Sequence, residues 1–141
     1  MRVTPEDITP GSLRPMEMFV FGSNESGLHG AGAARIAVDD FRARMGQGFG
    51  HAGQTFAIPT KDWEIRTLEL DDISFYVRRF IAYANLHRKL KFFVTQIGCG
   101  LAGYTPEEIA PMFASCLKMK NVYLPQSFID VIKKLEYEKN N

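Results

Sequence analysis

The chain has 141 residues, of which 45% are hydrophobic and 23% are charged, with a formal net charge of +1. This composition is typical of a folded domain, and the balanced charge argues against nucleic acid or a membrane surface as a partner. No apolar run approaches the roughly 20 residues of a membrane-spanning helix, and the first residues lack the apolar core of a secretion signal. Cys99 and Cys116 have neither metal-site nor disulfide spacing, so we expect a reducing, cytoplasmic setting without metal or cofactor.

The spacing of apolar residues predicts strands and helices in alternation. In chain order the predicted elements are an irregular lead-in (residues 1–15), a strand (16–21), a helix (34–45), a glycine-rich loop (46–54), a strand (55–58), a helix (73–84), a strand (91–97), a glycine-rich loop (98–104), a helix (105–117), a strand (121–124) and a helix (127–137). Thr105, Pro106 and Glu108 form a capping-box pattern at the start of the third helix. Helical spacing also predicts that Leu135 is buried.

Such alternation implies a largely parallel sheet with helices on both faces. We therefore predict an α/β fold with three layers, α/β/α, and a mixed, mostly parallel sheet in a single domain of residues 1–141. In open sheets of this kind, ligands bind at the carboxyl ends of the strands. Both glycine-rich segments that follow a strand and precede a helix, residues 22–32 and 98–103, are expected at that edge.

The two glycine-rich segments predict a site for phosphate groups. Backbone N–H groups before a helix can converge on an anion, and glycine lets a ligand come close to the main chain. Two such loops at one edge would suit a diphosphate, whereas one phosphate would need only one loop. The spacing is neither GxGxxG nor that of the Walker loop, which disfavours a dinucleotide dehydrogenase or a common ATPase. The alternative is that the glycines only make tight turns.

Several side chains near these loops could take part, each with a structural alternative. Asn24 could read a ribose hydroxyl or orient a water, or it could stabilise its own turn. His29 could donate to a phosphate or act as an acid or base. Asp62 could be a hydrogen-bond acceptor or a base, and Cys99 either a nucleophile or a small buried side chain. The candidate cations are Lys61 and Arg35, either of which could be solvated.

The sequence IGCGLAGYTPEEIA, from Ile97, resembles the second phosphate loop of macro domains, in which I-S-T-G-[IV]-[YF]-G-[FY]-P precedes a helix. The sequence FGSNESGLHGAGAARIA, from Phe21, resembles the macro-domain pattern N-A-A-N followed by a glycine-rich run and a helix, and Asn24 matches the last Asn. The likeness spans about residues 17–135 and is to a bacterial and phage subgroup of macro-like proteins of poorly defined function. Phe21 stands where the pattern has its first Asn, and Ala102 where it has an aromatic residue.

The resemblance implies a macro domain-like fold that binds ADP-ribose or a related nucleoside diphosphate derivative between the two loops. The ligand-binding residues would be Gly22, Ser23, Asn24, His29, Gly30, Ala31, Gly32, Ala33, Gly98, Cys99, Gly100, Leu101, Ala102, Gly103 and Tyr104. If the protein is also a hydrolase, the distal ribose would be attacked by a water oriented by Asn24 and assisted by His29 or Asp62. The alternatives are a Rossmann-like enzyme that cleaves an N-glycosidic bond with Asp62 or Glu25, and a protein whose loops bind no small molecule.

Overall fold

The strands of the chain form one mixed sheet. In the computed structural model, which describes residues 2–140, the strands are β1 (Glu17–Asn24), β2 (Gly50–Ala52), β3 (Thr55–Lys61), β4 (Lys91–Val94) and β5 (Val122–Tyr123). Their order across the sheet is β2-β3-β1-β4-β5, antiparallel between β2 and β3 and parallel elsewhere. The predicted domain, residues 1–141, extends one residue beyond the described range at each end.

Helices cover both faces of this sheet. They are α1 (Gly32–Phe41), α2 (Leu70–Leu86), α3 (Pro106–Ile109), which continues into a 3-10 helix (Ala110–Lys118), and α4 (Gln126–Lys139). Side chains of β1 alternate between two cores: Phe19 and Phe21 pack with α1, whereas Met18 and Val20 pack with α2, the 3-10 helix and α4. This confirms an α/β fold with a mixed, mostly parallel sheet between helices.

Strand β1 lies at the point where the chain changes direction across the sheet. From β1 the chain passes through α1 and β2 to β3 on one side, and then through α2 to β4 on the other side. In open α/β sheets the crevice at such a switch point is where ligands bind. The carboxyl ends of β1, β3 and β4 therefore meet where a ligand site is expected.

The first helix is shorter than the sequence pattern predicts. Helix α1 ends at Phe41 because Arg42 adopts a left-handed conformation (φ 66°) and its N–H caps the carbonyl of Ala37. Met45, predicted to lie in this helix, lies in the following loop and is 55% exposed. Leu135 of α4 was predicted to be buried and is 46% exposed.

The segment around β2 differs from the predicted loop. Residues 50–52 pair with β3, and the tight turn between the two strands uses Gly53 at φ 55°. Strand β3 also continues beyond Pro59, the predicted stop, to Lys61. The register with β1 shifts there, since Ser23 pairs with Pro59 but Asn24 pairs with Lys61. A bulge is a place where a strand tolerates proline.

The helix predicted after Thr105 begins as expected but changes type. The carboxylate of Glu108 accepts a hydrogen bond from the N–H of Thr105 at 3.0 Å, as the capping-box pattern predicts. The α-helix then gives way to a 3-10 helix at Ala110. Pro111 explains the change, because it has no N–H and its ring would clash with the carbonyl four residues earlier. Within residues 2–140, no helix has the length and apolar character needed to cross a bilayer.

Candidate functional site

A cavity of about 640 Å³ opens at the carboxyl ends of β1, β3 and β4. This volume is within the range of small-molecule sites, and its place at the switch point is where such sites occur in α/β sheets. Its wall consists of residues 22–24, 28, 30–34, 60, 61, 65 and 95–102. Both glycine-rich loops therefore line one cavity, the first loop from β1 to α1 and the second from β4 to α3.

Most of the ligand-binding residues predicted from the sequence lie in this wall. From the first loop these are Gly22, Ser23, Asn24, Gly30, Ala31, Gly32 and Ala33, and from the second loop Gly98, Cys99, Gly100, Leu101 and Ala102. His29, Asp62, Gly103 and Tyr104 lie outside it. The hydroxyl of Tyr104 donates to the carbonyl of Leu68 at 2.7 Å, so this side chain packs the second loop against the start of α2.

Unpaired main-chain N–H groups occur in both loops. Among the described residues, the N–H groups of Gly30 and Ala31 in the first loop, and of Gly100, Leu101 and Ala102 in the second, have no acceptor. Helix α1 starts directly after the first group, and its N-cap, Ala31, offers no side chain to cap the free N–H groups. Because the N-terminus of a helix carries partial positive charge, this side of the cavity favours an anion.

The glycines of the two loops have different reasons to be glycine. Gly27 (φ 73°) and Gly98 (φ 79°) adopt left-handed conformations, and a Cβ on Gly98 would lie 2.9 Å from Cδ1 of Ile109. Gly30 and Gly100 do not adopt that conformation, and a Cβ on either would meet no atom within 4 Å. Tight turns thus account for Gly27 and Gly98 but not for Gly30 and Gly100, both of which line the cavity.

The amide of Asn24 shapes the first loop through three hydrogen bonds. Its Nδ2 donates to the carbonyl of Leu28 at 2.8 Å, and its Oδ1 accepts from the N–H of Leu28 at 2.8 Å and from the hydroxyl of Ser26 at 2.9 Å. The side chain therefore stabilises its own turn, which was the structural alternative for this residue. Asn24 lines the cavity, and the second N–H of its amide has no acceptor among the described residues.

His29 belongs to the first loop, but its side chain is buried and lies outside the cavity wall. It is 1% exposed, its ring packs edge-on against Phe21, and its Nε2 lies 2.9 Å from the carbonyl of Gln47. Because a carbonyl can only accept, Nε2 carries the proton, which leaves Nδ1 buried without a partner in the described chain. His29 thus connects the first loop to residue 47, a contact that the sequence pattern could not show.

The two carboxylates considered for catalysis are occupied elsewhere. The Oδ1 of Asp62 accepts from the N–H groups of Arg66 at 3.0 Å and Glu64 at 2.9 Å, and the bond from Arg66 lowers the pKa of this carboxyl. A lowered pKa makes Asp62 a weak general base at neutral pH. Glu25 accepts a short hydrogen bond from the hydroxyl of Tyr76 and lies outside the cavity wall.

Two polar side chains in the wall have free head groups. Ser23, Asn24, Thr60 and Thr95 bond to other parts of the chain. The amide of Gln96 and the ammonium of Lys61 have no partner among the described residues. Sequence reasoning overlooked Gln96 because it placed this residue inside the strand 91–97, whereas β4 ends at Val94. Arg35, the other candidate cation, pairs with Asp39 at 2.9 Å outside the wall.

Large apolar side chains surround the mouth of the cavity. Leu28, Ile65 and Leu101 come from three different loops, line the cavity and are exposed, Leu101 by 75%. Ile65 adopts a left-handed conformation (φ 65°), which is uncommon for a β-branched residue and is found mainly where the surroundings enforce it. Sequence reasoning overlooked Ile65, because nothing in its neighbourhood predicts that it returns to the cavity.

Cys99 lines the cavity but lacks the features of a nucleophile. Burial, with smaller contributions from Glu107 and Glu108, raises its pKa to about 11. We expect its reaction with a disulfide reagent at pH 7.5 to be roughly tenfold to hundredfold slower than that of N-acetylcysteine, and to accelerate as the pH rises toward 11. Kinetics of the wild type against Cys99→Ser, which retains only buried Cys116, would measure this. A rate matching N-acetylcysteine would contradict it.

The chain matches no family model, no curated protein and no solved structure.

Within the described part of the chain, no three His, Cys, Asp or Glu side chains lie close enough together to hold a metal ion. The groups that can contact a ligand in this cavity are therefore the free main-chain N–H groups, the ammonium of Lys61, the amide of Gln96 and the apolar side chains at the mouth.

Proposed function

We propose that the chain is a macro domain-like protein that binds ADP-ribose or a related nucleoside diphosphate derivative in this cavity. The observation that carries the proposal is that two separate loops with unpaired N–H groups line the same cavity. A single phosphate needs only one such loop, whereas a diphosphate has enough oxygens to bond to both. The uncapped N-terminus of α1 adds partial positive charge on one side.

The rest of the cavity suits the remainder of such a ligand. The apolar mouth formed by Leu28, Ile65 and Leu101 can cover the face of a base or a sugar, and Gln96 can bond to a hydroxyl or a base edge. Small-molecule sites commonly combine a mostly apolar wall with a few placed polar groups. A volume of about 640 Å³ gives room for more than a phosphate group alone.

The proposal is for binding rather than for acid–base catalysis. Among the described residues, the cavity wall contains no carboxylate and no imidazole. General acid–base catalysis needs such a group within hydrogen-bond reach of the reacting atoms. N-glycosidic cleavage is disfavoured for the same reason, because Asp62 and Glu25 lie outside the wall.

Thermal denaturation and calorimetry with ADP-ribose and AMP test the proposal. We expect ADP-ribose to raise the melting temperature, since a ligand at 100 times its Kd stabilises the native state by about 2.7 kcal/mol. AMP has one phosphate and offers the two loops fewer charged oxygens, so its effect should be smaller at equal concentration. If millimolar ADP-ribose gives neither a thermal shift nor a heat of binding, the proposal fails.

A further inference from the structure

Lys61 gives the cavity wall its one formal charge among the described residues. The wall contains no other Lys or Arg and no Asp, Glu or His, and the thiol of Cys99, with its raised pKa, is neutral at pH 7. The ammonium of Lys61 has neither an ion pair nor a hydrogen bond within the described chain. No carboxylate of the described chain thus pairs with this cation, and a ligand could supply the opposite charge.

The main chain holds Lys61 firmly at the edge of the cavity. The register shift in β3 pairs Lys61 with Asn24 at the end of β1, and the carbonyl of Lys61 accepts from the N–H of Glu25 at 2.9 Å. On its other side Lys61 forms an isolated bridge with Thr67. The lysine side chain therefore starts from a fixed position beside the first loop, on the β3 side of the cavity.

We propose that Lys61 is the residue that recognises the charge of the diphosphate. Its Nζ donates to a phosphate oxygen on the β3 side, while N–H groups of the two loops bind other oxygens. Lysine binds phosphate as a compact point charge, and a bond between charged partners is about twice as strong as one between neutral groups. This inference rests on the proposed function, and it specifies that the cavity selects diphosphate anions over uncharged nucleosides and sugars.

Arg66 provides a matched control for Lys61. It is five residues away, its loss changes the net charge by the same amount, and its side chain pairs with Glu64 outside the cavity wall. If net charge acts at long range, both variants should lose affinity for the ligand. If Lys61 contacts the ligand directly, only the Lys61 variant should lose affinity. Lys61→Arg keeps the charge and tests whether charge alone suffices.

Calorimetric titration of the full chain with ADP-ribose and with inorganic pyrophosphate tests the inference. We expect Lys61→Met to weaken both ligands by roughly tenfold to hundredfold, as loss of a charged hydrogen bond implies. Arg66→Met should stay within about twofold of the wild type, and Lys61→Arg should retain most of the affinity. Raising the salt concentration should weaken the wild type more than Lys61→Met, because the remaining contacts are with uncharged groups.

The two ligands separate failure of the inference from failure of the proposed function. Wild-type affinity in Lys61→Met, or an equal loss in Arg66→Met, would overturn the role of Lys61 while ADP-ribose binding stands. Pyrophosphate binding that depends on Lys61, without ADP-ribose binding, would support Lys61 and overturn the nucleotide proposal. If the wild type binds neither ligand, both fail. Unfolding curves confirm that the variants are folded, and Lys61→Gln replaces Lys61→Met if the latter is not.

Discussion

Gly27→Ala is expected to lower the free energy of unfolding by about 2–5 kcal/mol, a large part of the stability of a domain of this size. Two costs add. Gly27 has φ 73°, and the left-handed conformation costs a residue with a Cβ roughly 1–2 kcal/mol. The new Cβ would also overlap the backbone of Gly46 and Gln47, lying 2.7 Å from Cα of Gly46, and overpacking of this kind costs about 1–3 kcal/mol.

Urea unfolding followed by circular dichroism measures this effect, with Gly30→Ala as the matched control. Gly30 is three residues further along the same loop, yet a Cβ there meets no atom within 4 Å. Gly30→Ala should leave stability unchanged or raise it by about 0.4–1 kcal/mol, because alanine restricts the unfolded chain. A wild-type unfolding midpoint for Gly27→Ala would show that the loop does not pack against residues 46–47 in solution.

The contact at Gly27 also bears on how the first loop is prepared for a ligand. The carbonyl of Gly27 accepts from the N–H of Gly46 at 2.9 Å, and the ring of His29 donates to the carbonyl of Gln47. These bonds join the loop to residues 46 and 47, which lie outside the cavity wall. Its free N–H groups are therefore positioned before a ligand arrives, which reduces the cost of ordering on binding. In this view His29 is a positioning residue for the loop.

Elements with strong local signals were predictable from the sequence. The stripe Ile73, Val77, Phe80 and Ala84 is buried along α2, as its helical spacing indicates. Strand β2 was missed because its three residues become a strand only by pairing with β3, a contact that its own composition does not encode. The early end of α1 depends on the left-handed conformation of Arg42, which is not a residue type that signals such a turn.

The position of the site was more predictable than the role of its side chains. Strand–loop–helix order places both loops at one edge of a parallel sheet, because parallel strands end together. Whether a polar side chain is free depends on its immediate neighbours. The side chains of Asn24 and Asp62 both bond to the backbone within four residues, whereas the head groups of Lys61 and Gln96 have no partner in the described part of the chain. A polar residue at a given position can be bonded or free without any change in the sequence. Only the structure therefore distinguishes the two cases.

The sequence also does not show whether a glycine is needed for a turn or for contact with a ligand. Substituting the glycines that line the cavity separates these two roles. Gly30→Val and Gly100→Val are each expected to weaken ADP-ribose binding by roughly 100-fold or more while the fold is retained. Both glycines lie outside the left-handed region and line the cavity, and a Cβ added at either meets no atom within 4 Å in the free protein. With a ligand present, the branched side chain would occupy the space in front of the free N–H groups. Loss of two bonds to charged oxygens costs about 3–6 kcal/mol.

Calorimetry gives the affinity, and urea unfolding shows whether each variant is folded. Because the two glycines belong to different loops, the single variants ask independently whether each loop contacts the ligand. A loss of binding in Gly30→Val alone would mean that only the first loop binds phosphate, and the diphosphate would then have no need of the second. If both variants bind as the wild type does, the ligand does not lie against either loop. A loss in both, with wild-type unfolding midpoints, would show that the ligand contacts both loops, as a diphosphate is expected to do.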